Sequence, residues 1–218
     1  DSSLKRFKHQ ALKPILTFVR MTNYVLATLY CFETILFKEK MSSIKLNAQQ
    51  LRRRLPTKEE RAAIPRQPIY IILEDVLDTY NVGAIFRLAE AVAAQKVILC
   101  GQTATPPDIK IHRAAIGTQN WVPWEYASRA DEAIKELRQE VGKVSVYVIE
   151  QGPGSSPYHR VEYRFPAAFV VGNETEGVSS SVLKLADQIV EIPMWGVNKS
   201  LNVMVSLAIV LWQAMEGK

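Results

Sequence analysis

Cysteine and histidine are scarce in this sequence. Its 218 residues include two cysteines, Cys31 and Cys100, and three histidines, His9, His112 and His159. The cysteines lie far apart, and none of the five shows the short spacing typical of metal ligands. These absences argue against a zinc site and a disulfide-based fold. They favour a reducing compartment, and we predict a cytoplasmic protein.

Several common nucleotide-binding and hydrolase motifs are also missing. There is no GxGxxG after the first predicted strand, no GxxxxGK[ST] phosphate loop and no GxSxG nucleophile turn. Long apolar runs are missing as well, because Arg20, Asn23 and Glu33 interrupt the apolar stretch over residues 14–37. We therefore predict neither a membrane span nor a signal peptide.

Positive charge is concentrated in the N-terminal third. Residues 1–66 hold 14 Lys and Arg against 5 Asp and Glu, a net charge of +9, whereas residues 67–218 hold 13 against 17, a net charge of −4. We predict a basic, mostly helical extension and linker over 1–66, with a helix over 1–40, followed by one domain over 67–218. The basic residues, including Arg52–Arg54, either contact RNA phosphates or form a solvated face.

Strands and helices alternate from Ile69 onward. This alternation predicts an α/β fold with a mainly parallel sheet covered by helices on both faces. The predicted strands are 69–74, 96–101, 144–150, 167–172 and 187–193. The predicted helices are 81–92, 131–140, 179–186 and one that closes the chain, with a short helical turn at 108–116 and a loop at 152–157.

The last stretch, Ile189 to Gln213, reads as a buried strand, a tight turn and a helix that is apolar nearly all round. Such a helix is buried, either in a core or at a subunit contact. Ser200 or Asn202 is predicted to cap it.

Three polar clusters follow predicted strand ends, where open α/β sheets bind ligands. They are residues 78–83 with Arg87, residues 172–177, and residues 200–202 at the start of the last helix. A guanidinium in an apolar helix needs a partner, so Arg87 either serves the site or pairs with Glu90 or Asp75.

Taken together, the clusters resemble the motifs of the TrmH/SpoU branch of the SPOUT methyltransferases. The first motif is similar to NVGAIFRLAEA (81–91), the second to FVVGNETEGVS (169–179) and the third to IVEIPMWGVNKSLNVMVSLAI (189–209). The similarity covers the chain from about Ile69 to Lys218. In one departure, Thr175 and a second acid, Glu176, follow the motif's Glu174.

The resemblance implies a C-terminal deep trefoil knot, a homodimer, and transfer of a methyl group from S-adenosylmethionine to a ribose 2′-hydroxyl in tRNA or rRNA. By position, the cofactor-binding residues are Gly172, Ile192, Met194 and Leu201. The residues matching the catalytic set are Arg87, Asn81, Glu174, Ser200 and Asn202, and no metal is expected.

Arg87 is the residue that the resemblance assigns to the target hydroxyl. Because a guanidinium is normally always protonated, we expect it chiefly to position the hydroxyl, with partial proton acceptance. Two alternatives remain for the whole protein: a non-catalytic RNA-binding protein that retains the fold, and a resistance-type rRNA methyltransferase.

Overall fold

The computed structural model describes residues 45–216. The helix predicted over 1–40 lies outside these residues. The elements follow in chain order: α1 Ala48–Arg53, α2 Lys58–Ala63, β1 Gln67–Glu74, α3 Thr79–Ala91, β2 Ala94–Cys100, α4 Ile109–Ala115, β3 Trp124–Ala127, α5 Ala130–Val141, β4 Ser145–Ile149, β5 Ser156–Pro157, β6 Ala167–Val171, α6 Ser180–Leu183, β7 Gln188–Glu191 and α7 Val203–Glu216. Two 3-10 turns occupy Thr118–Asn120 and Tyr158–Arg160.

Seven parallel strands form one sheet in the order β3-β2-β1-β6-β4-β7-β5. Side chains alternate between its faces, so that Ile69 and Ile71 of β1 join one apolar core and Tyr70 and Ile72 join the other. Helices α3, α4 and α7 cover the first face, and α5 and α6 cover the second. The predicted α/β class, a parallel sheet flanked by helices, is confirmed.

Some elements differ from the prediction. Strand β3 was not predicted; it is four residues long at the sheet edge, and none of its residues is fully buried. The loop predicted over 152–157 ends in the two-residue strand β5, which pairs with β7. Helix α6 is a single turn, shorter than the predicted 179–186.

The last helix is only half covered. Leu207, Val210 and Leu211 are buried in the core, as an apolar helix should be. On its other side, however, Val205 is 37% exposed and Trp212 is 47% exposed. No helix among residues 45–216 is long and apolar enough to cross a bilayer.

Helices α1 and α2 each begin with a capping box, formed by Asn47 with Gln50 and by Thr57 with Glu60. These reciprocal hydrogen bonds define where two helices of only six residues begin.

The segment before β1 packs on the body beside Gly117. The Leu51 carbonyl lies so close to Gly117 that a Cβ there would overlap it. The Arg54 guanidinium lies 6.0 Å from the centre of the Trp121 ring, and Arg66 Nη2 donates to the Trp121 carbonyl at 2.7 Å. The contacts of Arg54 and Arg66 with Trp121 are therefore structural, although Arg54 is itself exposed, as is Arg52.

Candidate active site

A cavity of about 560 Å³ opens at the carboxyl edge of the sheet, beside the ends of β6, β4 and β7 and the start of α3. Seven of the nine residues predicted for the site line it, and two, Arg87 and Met194, do not. The seven lining residues are Asn81, Gly172, Glu174, Ile192, Ser200, Leu201 and Asn202.

Glu174 links the second cluster to the first. Its Oε2 accepts a hydrogen bond from the Leu77 backbone N–H at 3.1 Å, and its Oε1 accepts from the Asp78 N–H at 3.2 Å and from Asn81 Nδ2 at 2.9 Å. Both carboxylate oxygens are thus held by donors at the start of α3. Glu174 orients the first loop rather than presenting a free base.

Asn81 and Asn202 extend this network to the third cluster. Asn81 Oδ1 accepts from Asn202 Nδ2 at 2.9 Å, and Asn202 Oδ1 accepts from the Met204 N–H at 3.0 Å. Asn202 is therefore the cap of α7. Ser200 is not, because within the described part of the chain its side chain accepts no hydrogen bond from the helix start, and its own N–H donates to Asn198 Oδ1 at 3.2 Å. This chain of side-chain hydrogen bonds, Glu174–Asn81–Asn202, connects three loops that are remote in sequence.

The ionisation of Glu174 follows from these contacts. Partial burial raises its pKa, but the hydrogen bonds from Asn81 and from backbone N–H groups outweigh burial and hold the pKa below its ordinary value. The network therefore favours the charged carboxylate.

The second cluster is a tight, self-closed loop. Asn173 and Gly177 exchange backbone hydrogen bonds of 3.1 and 3.0 Å. A Cβ on Gly172 would overlap the Gly177 backbone, which explains the glycine. Thr175 contributes to the cavity wall, whereas Glu176 is exposed and outside the lining. The second acid, the departure from the motif, therefore adds no charge to that wall.

Arg87 is exposed on α3. Neither Glu90 nor Asp75 pairs with it, and among the described residues it has no recorded ion pair or hydrogen bond, so the alternative of a structural ion pair is wrong. Six residues at about 100° each place it about 240° around the helix from Asn81. It therefore lies on a different helix face from the residue that lines the cavity.

Sequence reasoning assigned no individual site role to several polar cavity residues, including Glu150, Gln151, Glu191, Lys199 and Ser206. Glu150 directly follows β4, and Glu191 ends β7. Their placement at strand ends was a signal that could have found them. With Asp78 and Glu174, they give the lining four carboxylates against a single lysine, Lys199. The cavity is therefore acidic.

The fold and the cavity define the class: a parallel α/β protein in which three loops meet at the carboxyl edge of the sheet. The profile of the SpoU rRNA Methylase family matches residues 68–212. The chain belongs to this family, and the resemblance stated from its motifs is confirmed.

Curated relatives act on both classes of RNA. The chain is 28% identical to a 23S rRNA (guanosine-2′-O-)-methyltransferase of Ralstonia nicotianae over 83% of this chain and 71% of that protein. It is 31% identical to a tRNA (guanosine(18)-2′-O)-methyltransferase of Thermus thermophilus over 70% of this chain and 77% of that protein.

Among solved structures, the AdoMet-bound rRNA methyltransferase of Sinorhizobium meliloti matches with a TM-score of 0.63 and 28% identity. That match covers 76% of this chain and 59% of the other, so the chain spans less than two thirds of that protein. The TrmH/SpoU tRNA modifying enzyme of A. aeolicus matches with a TM-score of 0.64 and 25% identity, over 78% and 81% of the two chains.

Proposed function

We propose that this protein transfers a methyl group from S-adenosylmethionine to a ribose 2′-hydroxyl of tRNA or rRNA. The observation that carries the proposal is the cavity built from the three family motifs and closed by the Glu174–Asn81–Asn202 chain. Asn81 lies 93 positions from Glu174 and 121 positions from Asn202 in the sequence, and each of the three contributes to the cavity wall.

The cavity fits the cofactor in size and charge. Its volume, about 560 Å³, lies within the range of small-molecule sites, roughly 300–1,000 Å³. Its surplus of carboxylates suits a sulfonium cation. Gly172, Ile192 and Leu201 would hold the cofactor, whereas the role of Met194, which lies outside the lining, rests on the family motif alone. When bound, S-adenosylmethionine supplies an electrophilic methyl group.

Among the chain's own residues, Glu174 is unsuited to take the hydroxyl proton, because its oxygens already accept three hydrogen bonds and its pKa is lowered. We assign it, together with Asn81 and Asn202, to positioning the loops. We assign Ser200, exposed at the cavity wall, to contact with the substrate.

Arg87 would complete the site from a second subunit. Within one chain it lies on a different face of α3 from Asn81, whereas a homodimer packed through the exposed side of α7 would bring another copy to the cavity mouth. The exposed apolar residues Val205 and Trp212, two helical turns apart on one face, support that contact. The trefoil knot is also part of this proposal.

The RNA partner is supported by the relatives and by the basic segment before β1. Arg52 and Arg53 are exposed there and form no ion pair with any residue of the described range 45–216, so their side chains can contact phosphates. We retain the predicted division into a basic extension over 1–66 and a domain over 67–218, and the predicted cytoplasmic location.

The test is transfer of a labelled methyl group from S-adenosylmethionine to total RNA, followed by nucleoside mapping. We expect a 2′-O-methylated nucleoside at one position. If the protein bound the cofactor and RNA but left the RNA unmethylated, it would be a non-catalytic binding protein. Methylation of a single rRNA adenosine would identify a resistance-type enzyme.

Variants of Arg87 test its assigned role. We expect Arg87→Ala and Arg87→Lys both to lower kcat by at least about 100-fold, because a lysine does not reproduce the two-point contact of a guanidinium. Arg160→Ala, at an exposed arginine outside the cavity lining, is the control and should leave kcat unchanged. Near-normal activity of Arg87→Lys would refute a guanidinium-specific role.

A further inference from the structure

Glu150 occupies a position in the cavity that the three motifs do not include. It is the first residue after β4, and β4 lies between β6 and β7 in the sheet. The loop after β6 carries the second motif, and the turn after β7 carries the third. The Glu150 side chain therefore enters the cavity wall between the two loops proposed to hold the cofactor.

Two backbone donors fix the orientation of this carboxylate. Its Oε2 accepts from the Val178 N–H at 3.0 Å, and its Oε1 accepts from the Gln151 N–H at 2.8 Å. Gly177, with φ of +71°, passes so close that a Cβ there would overlap the carboxylate. Glu150 is thus a half-buried, preorganised acceptor, with no ion pair recorded among the described residues.

The lone pairs that remain free on the Glu150 carboxylate can only accept hydrogen bonds. An ionised carboxylate offers about four lone-pair directions, of which the two backbone donors use one on each oxygen. A ligand that matches the remaining pair presents two neighbouring O–H donors. The vicinal hydroxyls of a ribose have that arrangement, and an acid at a strand end is an established way to bind a ribose hydroxyl in other α/β folds.

We propose that Glu150 binds the ribose hydroxyls of the cofactor's adenosine and makes the cavity selective for a ribonucleoside over a deoxyribonucleoside. This inference rests on the proposed function, since it takes S-adenosylmethionine as the ligand. Glu150 is then a specificity-determining residue for the cofactor.

A purely structural role is the competing explanation, because Glu150 also ties β4 to the second motif through Val178. Glu191 provides the matched control: it is a second half-buried carboxylate in the same wall, and it accepts from Ser155 Oγ at 2.6 Å. The replacements Glu150→Gln and Glu191→Gln each remove one charge from the cavity while keeping the side chain's size.

The experiment is calorimetric titration of the purified full chain with S-adenosylhomocysteine and with its 2′-deoxy and 3′-deoxy forms. For the wild type and Glu191→Gln, we expect each missing hydroxyl to weaken binding about tenfold, as for a charge-assisted hydrogen bond. For Glu150→Gln, the parent compound should bind about tenfold more weakly, and the deoxy forms should bind almost as well as the parent.

Two results would overturn this assignment. One is an equal loss of affinity for all three compounds in Glu150→Gln, which would indicate a structural role. The other is loss of discrimination in Glu191→Gln alone, which would place the ribose against Glu191. Failure of the wild type to bind any of the compounds would instead refute the proposed cofactor, and with it the proposed function.

Discussion

The connection between the first and second motifs depends on the carboxylate of Glu174. We expect Glu174→Gln to lower the free energy of unfolding by about 1 kcal/mol at pH 7, a value at the low end for hydrogen bonds to a charged group because the residue is exposed. The folded-state pKa of Glu174 is lowered. Its contribution is therefore present above the unfolded-state pKa, about 4.3, and is lost as the pH falls through the folded-state pKa.

The measurement is urea unfolding of the wild type and Glu174→Gln between pH 3 and pH 7. The difference between the two proteins should shrink toward the acid end. Glu176→Gln is the control, since Glu176 lies in the same loop but its carboxylate has no recorded hydrogen bond among the described residues. A difference that stayed constant across this pH range would contradict the assigned role of the charge.

Cys100 is a second residue whose chemistry the structure determines. It is buried at the end of β2, and burial, helped by nearby acidic residues including Glu74, raises the pKa of its thiol to about 12. We expect Cys100, in a Cys31→Ser background, not to react with a thiol-specific disulfide reagent at pH 8 until the protein is unfolded in urea. Rapid reaction of the folded protein would show that this edge of the sheet opens readily.

How much of the site the sequence could predict depends on the residue. Glu174, Asn81 and Asn202 were predicted because the family motifs contain them, but their mutual hydrogen bonds depend on loops that only the fold brings together. Glu150 was missed because it belongs to no motif. The interpretation of Arg87 as half of an ion pair was wrong because the structure records no contact of its guanidinium with either candidate acid, although Glu90 lies only three residues further along the same helix.

At the scale of elements, the docking of α1 on Gly117 gives a separate prediction. Gly117 has φ of +98°, and a Cβ there would overlap the Leu51 carbonyl. We expect Gly117→Ala to lower the free energy of unfolding by about 2–4 kcal/mol, combining backbone strain with overpacking. It should also speed tryptic cleavage within Arg52–Arg54, because α1 would no longer pack closely against residue 117.

Gly154→Ala separates the two contributions. Gly154 also has a positive φ, +85°, but no atom lies within 4 Å of a Cβ built on it. We expect this control to cost about 1 kcal/mol and to leave cleavage at Arg52–Arg54 unchanged. Equal losses of stability in the two variants would mean that α1 docking contributes nothing beyond the backbone conformation.

The core elements were predictable because both faces of the sheet are buried, which leaves continuous apolar runs such as residues 69–73. Strand β3 gave no such signal, because its residues are only partly covered at the sheet edge. Likewise, α1 and α2 contain no buried residue, so apolar periodicity could not reveal them. Capping boxes mark their starts, and that local signal was overlooked.

For the whole molecule, the sequence could not separate a core helix from a subunit contact, because both are apolar. The structure divides α7 into a buried side, with Leu207 and Leu211, and an uncovered side, with Val205 and Trp212. Residues seven positions apart lie on one face, so the uncovered side forms a stripe. The proposed subunit contact would cover this stripe. It would account for the apolar residues on the side of α7 that the core of its own subunit leaves exposed.

Replacing this stripe tests the proposed homodimer. We expect Val205→Gln/Trp212→Gln to sediment as a monomer where the wild type sediments as a dimer, with little loss of monomer stability because both side chains are partly exposed within the subunit. Methyl transfer should fall together with dimerisation, since Arg87 would no longer reach a cavity. Ile109→Gln, at a side chain that is 71% exposed on α4, is the control and should remain dimeric and active. A monomeric wild type, or a double variant that stays dimeric, would show that this side of α7 is not the subunit contact.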